Sequence, residues 1–225
     1  MEQSLTTPQL AAYSAAQMNT FFPDPNPVAA SDVAVLLPRV LERVEICFSG
    51  LRAKSFHRDG STAFNHLHGD AYSMYLYLLG NEAFRAGARS RDVAVKSYLL
   101  NKALHGIEAF YEIELPEVFW FAHAVGTVLG RARYGNGFIV MQGCTVGNKM
   151  GTYPVFGEKV ILAANSTVLG ASNIGSEVCV GAGSQLIDET VPSSVTVVGS
   201  SPHVRILEKR APLIDRYFPE KLPHA

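Results

Sequence analysis

The sequence predicts an α+β protein with an N-terminal helical domain (residues 1–110), a left-handed parallel β-helix (111–206), and a C-terminal capping segment or tail (207–225). Three observations predict it. Up to about residue 110 the apolar residues recur at steps of three and four, the helical period. Beyond residue 125 they recur at steps of six: Val128, Tyr134, Val140, Val146, then Phe156, Leu162, Val168, Ile174, Val180 and Leu186. Four positions behind the second series runs a register of small or β-branched residues, Val160, Ser166, Ser172, Val178 and Ser184.

In the helical half, Val33, Leu36, Leu37, Val40, Leu41, Val44 and Phe48 form one stripe after Ser31 and Asp32, which are residue types that cap helix N-termini. Two more helices are expected over "GDAYSMYLYLLGNEAF", closed by Gly80 or Gly87, and "RDVAVKSYLLNKALHGIEAF", opened by Asp92. Pro23, Pro25 and Pro27 separate this group from a short first helix, because proline neither donates within a helix nor lets its predecessor stay helical.

A six-residue period is explained by a coil of three short strands. Each hexapeptide supplies one flat side of a triangular prism, with the large residue inward and Gly, Asn or Ala at the corner. Three sides close a turn, and stacked turns pair their backbones in parallel. The open edge at the end of such a stack needs covering. The stretch "SPHVRILEKRAPLIDRYFPEKLPHA" suits that task, with an extended lead and a charged, helix-compatible continuation.

Composition narrows the function classes. With 48% hydrophobic and 17% charged residues and a formal net charge of −1, the chain lacks the basic excess that phosphate backbones attract, so no nucleic-acid partner is expected. No basic leader precedes an apolar core and no window reaches a spanning length, so a cytoplasmic protein without a membrane partner is expected. Cys47, Cys144 and Cys179 are odd in number and widely spaced, which fits neither a disulfide framework nor a structural zinc site.

Between Val146 and Phe156 the step is ten, so four extra residues in "GNKMGTYPVF" loop out of the prism. Such loops build sites that uniform coils do not. One 18-residue turn separates His123 from the neighbourhood of Met141 and about another leads to the loop, so His123 and the loop base are expected along one edge.

The elements "HAVGTVLG" from His123, "QGCTVG" from Gln142, the "YP" after the loop and "VGAGS" ahead of "VP" resemble the hexapeptide-repeat domain of serine O-acetyltransferases, over roughly residues 108 to 206. The resemblance implies transfer of an acetyl group from acetyl-CoA to a small-molecule acceptor, without a metal and without an acyl-enzyme. His123 falls on the family's catalytic histidine, a general base suited to neutral pH because an unperturbed imidazole has a pKa of about 6.5. The family's orienting aspartate corresponds to Glu112, with Glu114 as a competing alignment. A carboxylate on Nδ1 would fix the tautomer and stabilise the imidazolium. By the same resemblance, Asp70 of "FNHLHGD", with His68, and Tyr153 of the loop face the acceptor. Coenzyme A is expected along Gly147, Ala163 and Gly181, with Arg205, Lys209 and Arg210 toward its phosphates. The family's assembly implies a homotrimer or a dimer of trimers.

The sequence also departs from that family. Ala122 stands where the family has an aspartate, Tyr153 where it has a histidine, and the loop is shorter and lacks an arginine. These positions handle the acceptor, which therefore stays open. For Asp70 and its histidines the other reading is helix capping beside solvated loop residues. His57, His105, His203 and His224 have no comparable sequence context. An N-acetyltransferase acting on an amino sugar fits the same prism, and so does a non-catalytic trimeric scaffold. A zinc-dependent γ-type carbonic anhydrase needs three histidines, whereas residues 123–191 contain only His123.

Overall fold

A computed structural model describes residues 1–87, 90–208 and 210–223. Six helices are present among them: α1 (Thr7–Phe21), α2 (Ala30–Ala34), α3 (Leu37–Ser49), α4 (Gly69–Arg85), α5 (Arg91–His105) and α6 (Pro212–Tyr217). Helix α1 starts at Thr6, whose backbone N–H donates to Gln9 Oε1 at 2.9 Å, and stops before the proline run. The stripe from Val33 to Phe48 is divided between α2 and α3, because Pro38 opens a new helix. Asp32 caps α2 by accepting from Ala29 N at 2.9 Å. Gly80 lies inside α4, where its missing side chain lets the backbone of α5 approach. Helix α4 is buried over most of its length between α3 and α5, and no described helix is long and apolar enough to cross a membrane. A small sheet, β1 (Glu2–Gln3), β2 (His57–Arg58) and β3 (Ser61–Phe64), borders the helices in the order β1-β3-β2.

The rest is a three-sided parallel solenoid. Its first face stacks β4 (Glu108–Ala109), β6 (Val128–Leu129), β8 (Thr145–Gly147), β11 (Thr167–Leu169) and β14 (Gln185–Ile187). The second stacks β5 (Phe119–Phe121), β7 (Phe138–Val140), β10 (Val160–Leu162), β13 (Cys179–Val180) and β16 (Thr196–Ser200); the third stacks β9 (Val155–Phe156), β12 (Asn173–Ile174) and β15 (Thr190–Val191). The expected inward residues Tyr134, Val140, Val146, Phe156, Leu162, Val168, Ile174, Val180 and Leu186 are all buried, as are Val160, Ser166, Ser172, Val178 and Ser184. Corners turn through the left-handed region, for example at Gly143 (φ 68°), Asn165 (φ 60°) and Gly183 (φ 70°), which occupy one edge in successive coils.

The first coil breaks this regularity, and it corrects one expectation. Phe121 aligns with Val140 and Leu129 with Val146, so eight positions span a corner that takes six in the next coil. The next corner is short by one: Tyr134, beside the bridge from Arg133 to Val155, follows Leu129 by five. Leu129 is therefore the inward residue, and Val128, which the six-residue period placed inside, is 38% exposed. The period appears intact in the sequence because Val128, the neighbour of Leu129 and six residues before Tyr134, is also apolar.

The chain end is divided in two. Strand β17 (His203–Leu207) pairs antiparallel with β16 and closes the open edge. The segment carrying α6 then returns to the first coils: Tyr217 O accepts from Arg52 N at 2.8 Å, Phe218 is buried, and the Tyr217 ring packs edge-on to Trp120.

Candidate active site

The site forms where the first turn of α4 meets the widened corner after β5. His68 caps α4, its Nδ1 accepting from Ala71 N at 3.2 Å. Asp70, in the first turn, sends its carboxylate out of the helix toward β5. Oδ2 accepts from the indole N–H of Trp120 at 3.0 Å, and Oδ1 accepts from the backbone N–H of His123 at 3.2 Å. The same Oδ1 lies 3.9 Å from His123 Nδ1, an ion-pair distance that would close to a hydrogen bond with a small ring movement. Asp70 is 13% exposed and the His123 side chain 85%, so a sheltered carboxylate lies beside an imidazole open to solvent. Among the described residues no hydrogen bond reaches His123 Nε2.

His123 has φ 53°, and its carbonyl accepts from Val125 N at 2.7 Å. A left-handed residue with a side chain costs about 1–2 kcal/mol. The two extra corner residues supply the backbone for this bend, which lifts the imidazole off the prism edge.

Two clefts flank the pair. One, about 230 Å³, is lined by Ser73, Leu104, His105, Ile107 and Val125. His105 was not marked by any sequence context. Its Nδ1 lies 2.9 Å from Asn101 Oδ1, while Asn101 Nδ2 donates to Ser73 O at 2.9 Å. That second bond fixes the amide orientation, so His105 Nδ1 carries the proton and Nε2 is the acceptor. Burial pushes the His105 pKa below the ordinary imidazole value, against the opposing pull of the Asp70 charge. The only sequence signal was the i, i+4 spacing of Asn101 and His105. The other cleft, about 590 Å³, is lined by Arg52, Lys54, His68, Trp120, Arg216 and Tyr217, with Asp70 and His123 in its wall.

Other predicted residues lie elsewhere. Glu112 pairs with Arg131 at 3.5 Å and Glu114 pairs with Arg85, so neither reaches His123. The reason is the prism: Glu112 follows β4 and Arg131 follows β6, at the edge between the first and third faces, whereas His123 sits between the second and first. Asp70 takes the position beside the histidine that was expected of Glu112. Tyr153 and Gly147 belong to the same distant edge as Glu112, since the loop joins β8 to β9. That loop is a tight hairpin in which Lys149 and Thr152 exchange backbone bonds of 3.0 and 3.1 Å. Tyr153, 40% exposed, is not brought to His123 within one chain.

Ala163 and Gly181 do share the His123 edge. The N–H groups of Ala122, Met141, Ala163 and Gly181 donate in turn to Val140, Leu162, Val180 and Val197, one rung per coil. Arg205 pairs with Val198 beyond Gly181, at the far end of that column. Arg210 is engaged by Glu177 and both oxygens of Asp215, and Lys209 lies outside the described residues.

No family model matches the chain. It is 30% identical over 158 residues to serine acetyltransferase 2 of Arabidopsis thaliana, a match spanning 68% of this chain and 48%, about half, of the plant protein. It is 27% identical over 175 residues to the serine acetyltransferase of Staphylococcus epidermidis, covering 75% and 78% of the two chains. A crystal structure of the Brucella abortus serine acetyltransferase in complex with coenzyme A superposes with a TM-score of 0.68 at 16% identity, covering 93% of this chain and 84% of that one. The chain is thus similar in sequence to serine acetyltransferases and shares their fold. The structural likeness carries the fold of this family, a helical layer ahead of the solenoid.

Proposed function

We propose that the chain transfers an acetyl group from acetyl-CoA to the hydroxyl of a small acceptor such as serine, with His123 as general base and no acyl-enzyme. The observation that carries this reading is the Asp70–His123 pair: the carboxylate faces Nδ1 and leaves Nε2 to take the acceptor proton as its oxygen attacks the thioester. Acetyl-CoA supplies the activated acetyl group. Ala163 and Gly181 are small and partly exposed on the His123 edge, where the coenzyme would run, with the side of Gly181 that lacks a Cβ filled by Val198. In this reading Asp70 also receives an acceptor's ammonium group.

A three-fold assembly of prisms belongs to the same reading. One protomer's hairpin edge, with Gly147 and Tyr153, would meet the His123 edge of a neighbour and complete the site. The complete enzyme is expected to be a homotrimer or a dimer of trimers in the cytoplasm. The second reading, N-acetylation of an amino sugar, is favoured by Ala122, which is 3% exposed and offers no charge where the family has an aspartate.

The test follows free thiol released from acetyl-CoA by purified protein offered L-serine, homoserine and amino sugars. Release with a hydroxyl acceptor supports the first reading and release with amino sugars alone supports the second. Absence of both turnover and coenzyme A binding would refute acetyl transfer.

A further inference from the structure

The larger cleft beside His123 is cationic, and nothing in the catalytic reading uses its charge. Arg52 comes from the loop after α3, Lys54 follows it, and Arg216 comes from α6, far apart in sequence and gathered around Trp120 and Tyr217. We propose that this cleft seats an anionic group of the acceptor, a carboxylate or a phosphate, while the acceptor's nucleophile reaches His123. The proposal rests on the reading of His123 as general base.

Four observations support it. First, among the described residues no carboxylate pairs with Arg52, Lys54 or Arg216. Asp215, the acid next to Arg216, gives both its oxygens to Arg210 at 2.7 Å, and among the described residues the Arg52 side chain donates to the Asp215 carbonyl, at 2.9 Å, and to no carboxylate. Asp70, the one carboxylate in the cleft wall, is held by Trp120 and His123.

Second, the cations are positioned in advance. The backbone bond from Arg52 N to Tyr217 O ties the two segments together, and the Arg216 guanidinium lies 5.5 Å over the Tyr217 ring. A guanidinium fixed on one side keeps further N–H groups for a planar or tetrahedral oxyanion.

Third, the hairpin 148–154 contributes a single cation, Lys149, and Asp188 occupies it. An anionic acceptor would therefore find its counter-charge in this cleft rather than in the loop. Fourth, the column from Ala122 through Ala163 to Gly181 climbs toward the last coil, away from Arg52 and Lys54 in the helical layer. Coenzyme phosphates on that column would lie at the opposite end.

Trp120 is the only tryptophan in the chain and lines the cleft, so its fluorescence reports occupancy independently of turnover. The experiment titrates the purified full chain with matched probes: L-serine against L-serinamide for a carboxylate, and glucosamine 6-phosphate against glucosamine for a phosphate. Saturable fluorescence change is expected with the anionic member of one pair only, which also names the anion. Arg216→Gln and Lys54→Gln, each checked for native melting, should raise the Kd of that probe about 10-fold and reduce the anionic-over-neutral preference, with the KM for acetyl-CoA unaltered. No saturable response to any anionic probe, or equal responses within each pair, would overturn the proposal. So would variants that raise the KM for acetyl-CoA but not for acetyl-dephospho-coenzyme A, because the cleft would then serve the coenzyme. Failure of acetyl transfer itself is read separately: probe binding that persists without thiol release sinks the catalytic reading and leaves the anion site standing.

Discussion

The indole N–H of Trp120 donates to Asp70 Oδ2 at 3.0 Å and thereby leaves Oδ1 turned toward His123. On the proposed reading of His123 as base, Trp120 is a positioning residue, acting through the carboxylate that it holds. Trp120→Phe keeps most of the ring volume and removes the donor. We expect kcat to fall about 10-fold with the KM for acetyl-CoA little changed, because a misaimed carboxylate weakens the base without touching the coenzyme. An unchanged kcat in steady-state assays would show that Asp70 is held by other means.

The backbone of His123 offers a separation of stability from activity. Alanine and glycine both remove the base, and either should lower kcat by about 10²-fold or more. At φ 53°, however, glycine relieves strain that alanine retains. Urea denaturation should find His123→Gly more stable than His123→Ala by about 1 kcal/mol, the reverse of their usual order in regular structure. Equal stabilities would argue against a strained corner.

His105 makes a pH-dependent contribution whose sign follows from its environment. Its folded pKa is depressed by burial, so the unfolded chain takes up the proton first, at about pH 6.5. The associated stability is fully present above that pH and is lost as the pH falls toward the folded value. Unfolding free energies measured between pH 7.5 and 5.5 should therefore decline more steeply for the parent than for His105→Gln. Parallel slopes would contradict a buried neutral imidazole.

Cys47 is fully buried, with its Sγ donating to Phe119 O at 3.0 Å, and burial pushes its thiol pKa up to about 12. It should be silent to a thiol-specific reagent at pH 8 in the native state and react on unfolding in urea. Rapid native labelling, mapped to Cys47 by peptide mass, would show that the contact between α3 and β5 opens readily.

Two glycines should respond differently to the same substitution. A Cβ on Gly135 would lie 2.3 Å from Gly157 O and 2.4 Å from Gly157 C, backbone atoms of the neighbouring coil. Gly135→Ala should cost about 1–3 kcal/mol and loosen that contact. Gly183 has φ 70° and open space around it, so Gly183→Ala should cost only the conformational strain, about 1 kcal/mol. Denaturation midpoints of the two variants decide whether close coil contact or backbone freedom dominates.

The solenoid was legible because its rule is local: six residues make one face, and an inward residue such as Val168 meets the same requirement as Val146 below it and Leu186 above it. Val128 misled because the step from the inward Leu129 to Tyr134 is five, and Val128, its apolar neighbour, restores an apparent six. In the site, His123 and Asp70 were reachable through resemblance to a family. Glu112 was not excluded, because position along a chain does not reveal which edge of a triangle a residue occupies. His105 and Arg216 were invisible for a different reason. Each acquires its role from contacts across the chain, with the Asp70 region in one case and with the Arg52 loop in the other, and long-range contacts leave no periodic trace.

The widened turn that carries His123 joins β5, paired with β7, to β6, paired with both β4 and β8. Its backbone is tied to the coils on either side, since Gly126 N donates to Gly106 O and Val125 O accepts from Gly143 N. Lengthening or shortening the turn would therefore pull on two neighbouring coils as well as on the imidazole. Chemistry at this corner cannot be edited apart from the stack that holds it.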